Sequence, residues 1–355
     1  MVAKQDIRKL TPAQLTDWLK QHGEQGFRAK QIHEWLWKKS ARSFESMTNL
    51  SKPTRDLLDS HFAIQTLTTA TEQRSADGTI KSSFRLYDGN LVEGVLIPAL
   101  RSDDRSDGPA DRMTACVSSQ VGCSLTCKFC ATGYMDRKRN LDAAEIYDQV
   151  VEIDRQATEN YQTPLSNIVY MGMGEPLLNY KNVLESVERI TSPDGLGMSA
   201  KRITVSTAGI AKMIRQLGDD NVKFRLALSL HAANDQKRNQ IMPINESNTL
   251  KALADALQYF YRKTGSRVTL EYIVFYNFND QLQDAKELWE FTKRVPAKVN
   301  IIEYNPISEA SFRNTDPQTL DKFAGFLDDK GVTVNIRRSR GKDIDAACGQ
   351  LAGKS

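Results

Sequence analysis

The chain has 355 residues, 40% of them hydrophobic, which is enough for a sizeable core and for about two domains. No apolar run reaches the roughly 18 residues of a membrane span, and the N-terminus lacks the apolar region of a signal peptide. The 48 basic and 44 acidic residues leave a net charge of +4, which permits a nucleic-acid partner without requiring one. We therefore expect a cytoplasmic protein with no membrane partner.

Residues 1–65 predict a small helical domain. The segment Thr11–Gln14 has the capping residue, proline and glutamine of a helix start, and Gly23 ends the apolar pattern that follows. Two further helices are predicted at Gln31–Lys39 and Thr54–Phe62. Two interpretations stay open for the basic residues around the second helix, a solvated face or a surface for RNA phosphates: Arg28, Lys30, Lys38 and Lys39.

Residues 66–112 predict a β-hairpin extension. Ile80, Phe84 and Leu86 share one parity, which is typical of a strand, and turn signals precede and follow them. Leu91–Ile97 predicts the returning strand. Arg101–Asp111 is a polar loop with glycine and proline.

Residues 113–355 predict alternating strands and helices, beginning with the strand Met113–Val117. Six further strands are predicted at Ile168–Met171, Ile203–Ser206, Phe224–Leu230, Val268–Val274, Val299–Tyr304 and Val332–Ile336. Six helices are predicted at Ala143–Gln156, Tyr180–Ile190, Ile210–Leu217, Thr249–Tyr261, Asp284–Arg294 and Thr319–Lys330. This alternation predicts an α/β fold, a TIM-like, partial (β/α) barrel with its chemistry at the carboxyl ends of the strands.

Four of the five cysteines lie close together, and this uneven set indicates metal binding or catalysis in a reducing compartment. Three of them form the pattern Cys123-x-x-x-Cys127-x-x-Cys130. Three thiolates on a short loop can bind three irons of a [4Fe–4S] cluster and leave the fourth iron open to a substrate. The alternative is a structural zinc site, which would need a fourth ligand such as Cys116 or a histidine.

Three longer motifs accompany this cysteine loop: Cys116–Cys123, Met171–Asn179 and Asp343–Gln350. A Cys-x-x-x-Cys-x-x-Cys loop after the first strand of a βα barrel looks like that of a radical S-adenosylmethionine enzyme. The three motifs resemble, more narrowly, the RlmN/Cfr family of RNA methyltransferases. The likeness covers nearly the whole chain, and Val121 and Pro176–Leu178 favour the RlmN branch.

The resemblance implies a reaction. It implies a [4Fe–4S] cluster on the three clustered cysteines and two S-adenosylmethionine molecules per turnover. Cys348 would accept a methyl group as S-methylcysteine and, after radical activation, attach to adenine carbon 2. Cys116 would release the methylated base by forming a transient disulfide with Cys348, and Glu93 would be the proton acceptor. Without the resemblance, both cysteines could be buried apolar residues and Glu93 a surface residue.

Polar residues at strand ends are the implied cofactor contacts. Glycines after a strand allow close backbone approach, and the Glu175 carboxylate can accept hydrogen bonds from the methionyl ammonium of S-adenosylmethionine. The other implied contacts are Gly174, Ser206, Ser229, Leu230, His231 and Asn305. From the residues alone, two alternatives stay open, a plain turn for Gly-x-Gly-Glu and a histidine satisfied in the barrel rim for His231.

The family's substrates are 23S rRNA near the peptidyl transferase centre and the tRNA adenosine 3′ of the anticodon. The resemblance also implies an external electron donor such as flavodoxin, and we expect a monomer. Basic residues expected near the barrel mouth, and suited to phosphate contact, are Arg137, Lys138, Arg139, Arg202, Arg337, Arg338 and Arg340.

Two alternatives stay open. One is Cfr-like methylation at adenine carbon 8, and the other is a non-catalytic, zinc-stabilised RNA-binding protein.

Two segments depart from the family pattern, Asp136–Arg137 and the longer loop Arg101–Asp111. Neither contains a cluster ligand, so both concern the substrate loops rather than the chemistry.

Overall fold

The computed structural model describes residues 4–99 and 112–353, so the loop Arg101–Asp111 lies outside the described residues. The N-terminal helices are α1 (Pro12–Gln21), α2 (Arg28–Trp37) and α3 (Lys52–His61). The strands β1 (Gln5–Asp6) and β2 (Phe62–Ala63) pair in parallel beside them. All three predicted helices are confirmed, and Thr11 and Gln14 form the predicted capping box.

The predicted hairpin is confirmed, but it has an additional strand. It consists of β3 (Thr68–Arg74), β4 (Ile80–Arg85) and β5 (Leu91–Ala99), paired antiparallel in that order. Every side chain of β3 is exposed, so the strand carries no apolar alternation from which it could be predicted. Backbone pairing to β4 and side-chain hydrogen bonds to the helix that begins at residue 143 hold it in place, for example from Thr69 to Glu152 at 3.2 Å.

The rest of the chain alternates between strands and helices. The strands are β6 (Arg112–Cys116), β7 (Gln120–Val121), β8 (Arg139–Asn140), β9 (Asn167–Tyr170), β10 (Ile203–Thr207), β11 (Arg225–Ser229), β12 (Val268–Ile273), β13 (Ala297–Ile302) and β14 (Val334–Arg337). The helices are α4 (Ala143–Tyr161), α5 (Tyr180–Thr191), α6 (Ala211–Asp219), α7 (Asp235–Ile241), α8 (Leu250–Thr264), α9 (Leu282–Arg294) and α10 (Pro317–Asp329). The sequence did not predict α7, which is short and polar.

Seven of these strands form the parallel sheet of an incomplete barrel. They run β6, β9, β10, β11, β12, β13 and β14, each parallel to its neighbour. β5 pairs antiparallel with β6, so the hairpin continues the same sheet. Within the described ranges the sheet stays open, with β14 at one edge and β3 at the other. The predicted TIM-like, partial barrel is therefore confirmed. No helix in those ranges has the length and apolar content needed to cross a membrane.

Arg8 is a buried polar link between the N-terminal helices and the barrel. Its guanidinium lies 3.1 Å from Asp6 and 2.7 Å from Asp148 on α4, measured between nitrogen and carboxylate oxygen. It also donates a hydrogen bond of 3.0 Å to the carbonyl of Gln65. One buried cation therefore neutralises carboxylates from two parts of the chain.

Replacing Arg8 with methionine is expected to lower the free energy of unfolding by about 3 kcal/mol, because two buried carboxylates lose their counter-ion. Urea denaturation followed by circular dichroism measures the change. The control is Arg42→Met, because Arg42 also pairs with α4, through Glu152, but its side chain is 51% exposed. The control should lose at most about 1 kcal/mol. Equal losses in the two variants would contradict the prediction.

Candidate active site

The predicted site residues gather at the carboxyl edge of the parallel sheet. Cys116 is the last residue of β6 and Ser229 is the last residue of β11. Glu175 follows β9 after a short glycine-containing turn. Because parallel neighbours end at the same edge, residues far apart in sequence share one barrel mouth.

The loop between β7 and β8 carries the three clustered cysteines. β7 and β8 pair antiparallel and close the base of this loop. The Lys128 N–H donates to the carbonyl of Ile241 at the end of α7, at 3.0 Å. The Ala131 N–H donates to the carbonyl of Gly349 in the C-terminal segment, at 2.7 Å. The loop is thus fixed both to the barrel and to the segment that contains Cys348.

The three thiols of this loop are electrostatic neighbours. Burial raises the pKa of Cys123 to about 11, with smaller contributions from Glu175 and Cys130. Burial also raises the pKa of Cys127 well above its ordinary value, and Cys130 and Cys123 add to the shift. Metal ligation requires thiolates, so a cationic centre bound here would offset this cost of deprotonation.

The donor set offers three thiols on one short loop. A structural zinc site needs four ligands on one ion, whereas the thiolates of a cubane each bind a different iron. Cys116, the possible fourth zinc ligand, is instead an electrostatic neighbour of Cys348. The three-thiol loop is therefore suited to hold a cluster.

Glu175 is buried, and its carboxylate is held in one orientation. One carboxylate oxygen accepts a hydrogen bond from the Ala208 N–H at 2.8 Å, and the other accepts from the Leu177 N–H at 3.1 Å. Burial raises the pKa of Glu175, and these hydrogen bonds oppose that shift. The carboxylate oxygens still have lone pairs for a further donor. The site therefore suits a bound ammonium group.

Gly174 has a structural reason to be glycine. Its φ is +94°, and a Cβ there would lie 2.5 Å from Cβ of Gln120. At Gly172, a Cβ would lie 2.7 Å from Oγ of Ser118. These two glycines therefore allow the turn after β9 to pack closely against Ser118 and Gln120, which follow β6. Contact between Gly174 and a cofactor remains a prediction.

Ser206, Ser229, Leu230 and His231 lie on neighbouring strand ends. The hydroxyls of Ser206 and Ser229 are 3.5 Å apart. Burial lowers the pKa of His231 to about 3, so its ring is neutral at physiological pH. Its Nδ1 accepts a hydrogen bond from the Ile273 N–H at 3.1 Å, which places the ring proton on Nε2. The backbone and Nδ1 of His231 are satisfied by the barrel, while Nε2 carries a proton to donate.

Cys116 and Cys348 lie close enough to interact electrostatically, although 231 positions separate them in the sequence. Cys116 is buried, and burial together with the nearby Cys348 raises its pKa. Cys348 is exposed to solvent, yet desolvation by the surrounding protein raises the pKa of its thiol. The side-chain amide of Asn305 donates to the Cys348 carbonyl at 3.1 Å. All five cysteines are free thiols here.

Glu93 is buried, so the interpretation of this glutamate as a surface residue is wrong. One carboxylate oxygen accepts hydrogen bonds from the N–H groups of Ala352 and Gly353, at 2.8 and 3.1 Å. The other lies 3.7 Å from Nζ of Lys81. Glu93 therefore holds the end of the segment that carries Cys348.

The other side of this segment is held by the turn between β3 and β4. The Gly341 N–H donates to Asp77 at 2.8 Å, and the Asp343 carboxylate accepts from the Ser75 hydroxyl at 2.6 Å. The Thr132 hydroxyl, on the cysteine loop, donates to the Leu351 carbonyl at 2.6 Å. The predicted hairpin extension thus takes part in positioning Cys348.

Two buried charged residues of the site were missed by the sequence analysis, Arg238 and Glu271. Glu271 interrupts the apolar strand β12, a signal that could have revealed it. One of its oxygens accepts from the Asn300 amide at 2.9 Å, and the other has no partner within the described ranges. The Asn305 Oδ1 is also buried and unpaired there. Such acceptors fit a polar ligand such as S-adenosylmethionine.

Two of the basic residues expected at the mouth have other positions or partners. Arg202 directly precedes β10, so it lies at the amino edge of the sheet, opposite the mouth. Arg139 is held by ion pairs with Asp88 and Glu145, at 2.6 and 2.7 Å. The prediction that Arg202 lies near the mouth is therefore wrong, and phosphate contact by Arg139 stays a prediction. Arg337 does lie at the carboxyl end of β14, where it was expected.

Family models match both parts of the chain. The model described as the ribosomal RNA large subunit methyltransferase N-terminal domain matches residues 5–64. The model of the radical SAM superfamily matches residues 117–288. A protein of Cytophaga hutchinsonii named probable dual-specificity RNA methyltransferase RlmN is 64% identical over 99% of this chain and 93% of its own length. The chain belongs to the RlmN family.

Other relatives agree with this assignment. The dual-specificity RNA methyltransferase RlmN of Geotalea uraniireducens is 44% identical over 99% of this chain and 97% of its own length. Among solved structures, a radical SAM methyltransferase from Sphaerobacter thermophilus superposes with a TM-score of 0.90 at 38% identity. That match covers 99% of this chain and all of the other. The family and the radical SAM fold expected from the motifs are therefore confirmed.

Proposed function

We propose that this protein is an S-adenosylmethionine-dependent RNA methyltransferase that methylates adenine carbon 2 in both 23S rRNA and tRNA. The observation that carries the proposal is that Cys116 ends β6 at the mouth, while the Ala131 N–H of the three-thiol loop donates to the carbonyl of Gly349, the residue after Cys348. The names of the RlmN relatives support two classes of RNA substrate. The proposed targets are the adenine near the peptidyl transferase centre and the tRNA adenosine 3′ of the anticodon.

The residues of the mouth fit the two proposed cofactors. Cys123, Cys127 and Cys130 would hold a [4Fe–4S] cluster, and Glu175 would accept hydrogen bonds from the ammonium of S-adenosylmethionine. The remaining proposed contacts to that molecule are Gly174, Ser206, Ser229, Leu230, His231 and Asn305. When bound, the cluster and S-adenosylmethionine supply the one-electron chemistry that abstracts a hydrogen from a methyl group.

The two remaining cysteines would carry the methyl group and release it. The Cys348 thiolate would attack the methyl carbon of one S-adenosylmethionine, displace S-adenosylhomocysteine and become S-methylcysteine, whose methyl carbon later bonds to the adenine ring. The Cys116 thiolate would then attack the Cys348 sulfur, the bond from that sulfur to the methylene carbon would break, and that carbon would take up a proton to become the methyl group. The methylated base is released and a disulfide remains. Solvent access to Cys348 supports both of its proposed steps, because S-adenosylmethionine and then the RNA base can reach this sulfur.

Glu93 would take the proton that leaves adenine. Its carboxylate is buried close to the segment that carries Cys348, and two backbone N–H groups fix its position. Because Lys81 lies 3.7 Å away, the ionised form that can accept a proton has a nearby counter-charge. These contacts support a proton acceptor at the mouth.

The other parts of the chain would serve RNA binding and electron supply. We assign residues 1–65 to an RNA-binding domain, 66–112 to the hairpin extension and 113–355 to the barrel with its catalytic C-terminal segment. A cavity of about 730 Å³ borders Cys123, which supports reduction by an external donor such as flavodoxin. We further propose that the protein acts as a monomer in the cytoplasm.

Anaerobic reconstitution with iron and sulfide is expected to give a brown protein that cleaves S-adenosylmethionine reductively and methylates RNA. Digestion of the product RNA and mass spectrometry should find 2-methyladenosine in both rRNA and tRNA fragments. A product methylated at carbon 8 would contradict the proposed position and favour Cfr-like chemistry. A colourless protein that binds zinc and RNA would contradict the enzyme itself.

A further inference from the structure

Arg238 is a fully buried arginine in α7 whose guanidinium binds the ends of two barrel strands. Its Nη2 donates to the carbonyls of Ala208 and Ser229, at 2.5 and 3.0 Å. Its Nε donates to the carbonyl of Leu230 at 3.0 Å, and Nη1 donates to Oδ1 of Asn245 at 2.8 Å. These carbonyls belong to the carboxyl ends of β10 and β11, where the proposed S-adenosylmethionine contacts lie.

The same helix also supports the cysteine loop. The carbonyl of Ile241, which accepts from the Lys128 N–H, lies one helical turn beyond Arg238. Ile241 and Ala208 belong to a hydrophobic cluster with Phe129, and Cys127 packs against that cluster. Arg238 therefore connects the strand ends on one side with the cysteine loop on the other.

The hydrogen bonds given for Arg238 go to three carbonyls and one amide oxygen rather than to a carboxylate, and Asn245 links it to Asp235. Burial lowers the pKa of Arg238 to about 10, so the side chain stays cationic at neutral pH, and the nearby Cys127 and Asp235 oppose the shift. A buried cation without a direct counter-ion is costly, and a neutral side chain could fill the same space. The charge itself therefore requires a reason.

We propose that Arg238 is a positioning residue that serves both cofactors of this site. Its planar fork holds the ends of β10 and β11 in the arrangement that binds S-adenosylmethionine. Its fixed positive charge, next to the cysteine loop, favours the extra electron of the reduced cluster. This inference rests on the proposed function, because it needs a cluster on the three thiols. The need to donate several hydrogen bonds in one plane explains why this residue is arginine, since lysine has the same charge but no planar guanidinium.

Two variants separate the effect of the positive charge from the effect of the planar guanidinium and its hydrogen bonds. The cluster of full-length, reconstituted Arg238→Gln should have a more negative midpoint potential than that of the wild type, and S-adenosylmethionine should bind about tenfold more weakly. Arg238→Lys should keep a potential near the wild-type value but show the same loss of affinity. Potentiometric titration followed by electron paramagnetic resonance gives the potential, and equilibrium dialysis gives the affinity.

The matched control is Arg262→Gln, which removes the same charge from the last turn of α8, the helix that leads to the amino end of β12. It should change neither quantity. An unchanged midpoint potential of the cluster in Arg238→Gln would overturn the role of the charge. Wild-type affinity for S-adenosylmethionine in Arg238→Lys would overturn the role of the planar guanidinium. If Arg238→Gln does not fold, the lysine variant still decides the positioning role. A wild-type protein that assembles no cluster would contradict the proposed function, and this inference with it.

Discussion

Replacing Cys348 with alanine is expected to abolish methylation of RNA, with turnover falling by more than about 10³-fold, as for removal of a catalytic nucleophile. The methyl group would have no acceptor, because Cys116 is buried, and the other thiols would be occupied by the cluster. Intact-protein mass spectrometry after incubation with S-adenosylmethionine checks the result. The wild type should gain the mass of a methyl group, and Cys348→Ala should not.

The same variant provides its own controls. Cys348 is exposed and contributes only its backbone to the hydrogen bond with Asn305, so alanine should leave the thermal midpoint nearly unchanged. The variant should also still assemble a cluster and cleave S-adenosylmethionine reductively, because its three-thiol loop is intact. Cys348→Ala that gains a methyl group or methylates RNA would exclude Cys348 as the methyl carrier.

Local patterns predicted the repeating elements well, because those elements bury one face. β10 and α4 are examples, since their apolar residues recur at the spacing of a strand and of a helix. β3 and α7 were missed for the opposite reason. β3 is exposed along its whole length, and α7 has seven residues with only Arg238 and Ile241 buried. Pairing and tertiary packing, rather than periodicity, determine both elements.

The candidate site also has parts that the sequence predicts and parts that depend on the complete fold. The spacing of Cys123, Cys127 and Cys130 predicts a metal-binding loop from thiolate chemistry alone, and the structure shows that hydrogen bonds of Lys128 and Ala131 hold this loop in place. No local pattern could place Cys348 beside Cys116, because the contacts responsible join distant residues such as Asp77 and Gly341. The family motifs implied this pairing, and the hairpin extension explains it physically. Arg238 follows no recognisable motif and became visible only through its contacts.

The burial of Glu93 shows the same limit. On a single strand, a lone glutamate among apolar residues gives no sign of the partner that will cover it. Its partners, the N–H groups of Ala352 and Gly353, come from the other end of the chain. Long-range hydrogen bonds of this kind depend on the complete fold, so sequence periodicity cannot report them.

Replacing Cys116 with alanine is expected to stop the reaction after RNA has become attached to Cys348. The steps that load Cys348 and bond it to adenine do not use Cys116, but the covalent bond to RNA has no thiolate to break it. Labelled RNA should therefore migrate with the protein on a denaturing gel. Digestion of that band should give one cross-linked peptide, which contains Cys348.

Two comparisons make this result specific to the resolving role. The double variant Cys116→Ala with Cys348→Ala should give no attached RNA, because the acceptor sulfur is missing. Since Cys116 is buried, the thermal midpoint of the single variant must be measured, and a loss of about 1 kcal/mol from the smaller side chain is expected. Normal turnover by a folded Cys116→Ala protein would show that another group releases the product. Loss of activity without attached RNA would place Cys116 earlier in the reaction than its position beside Cys348 implies.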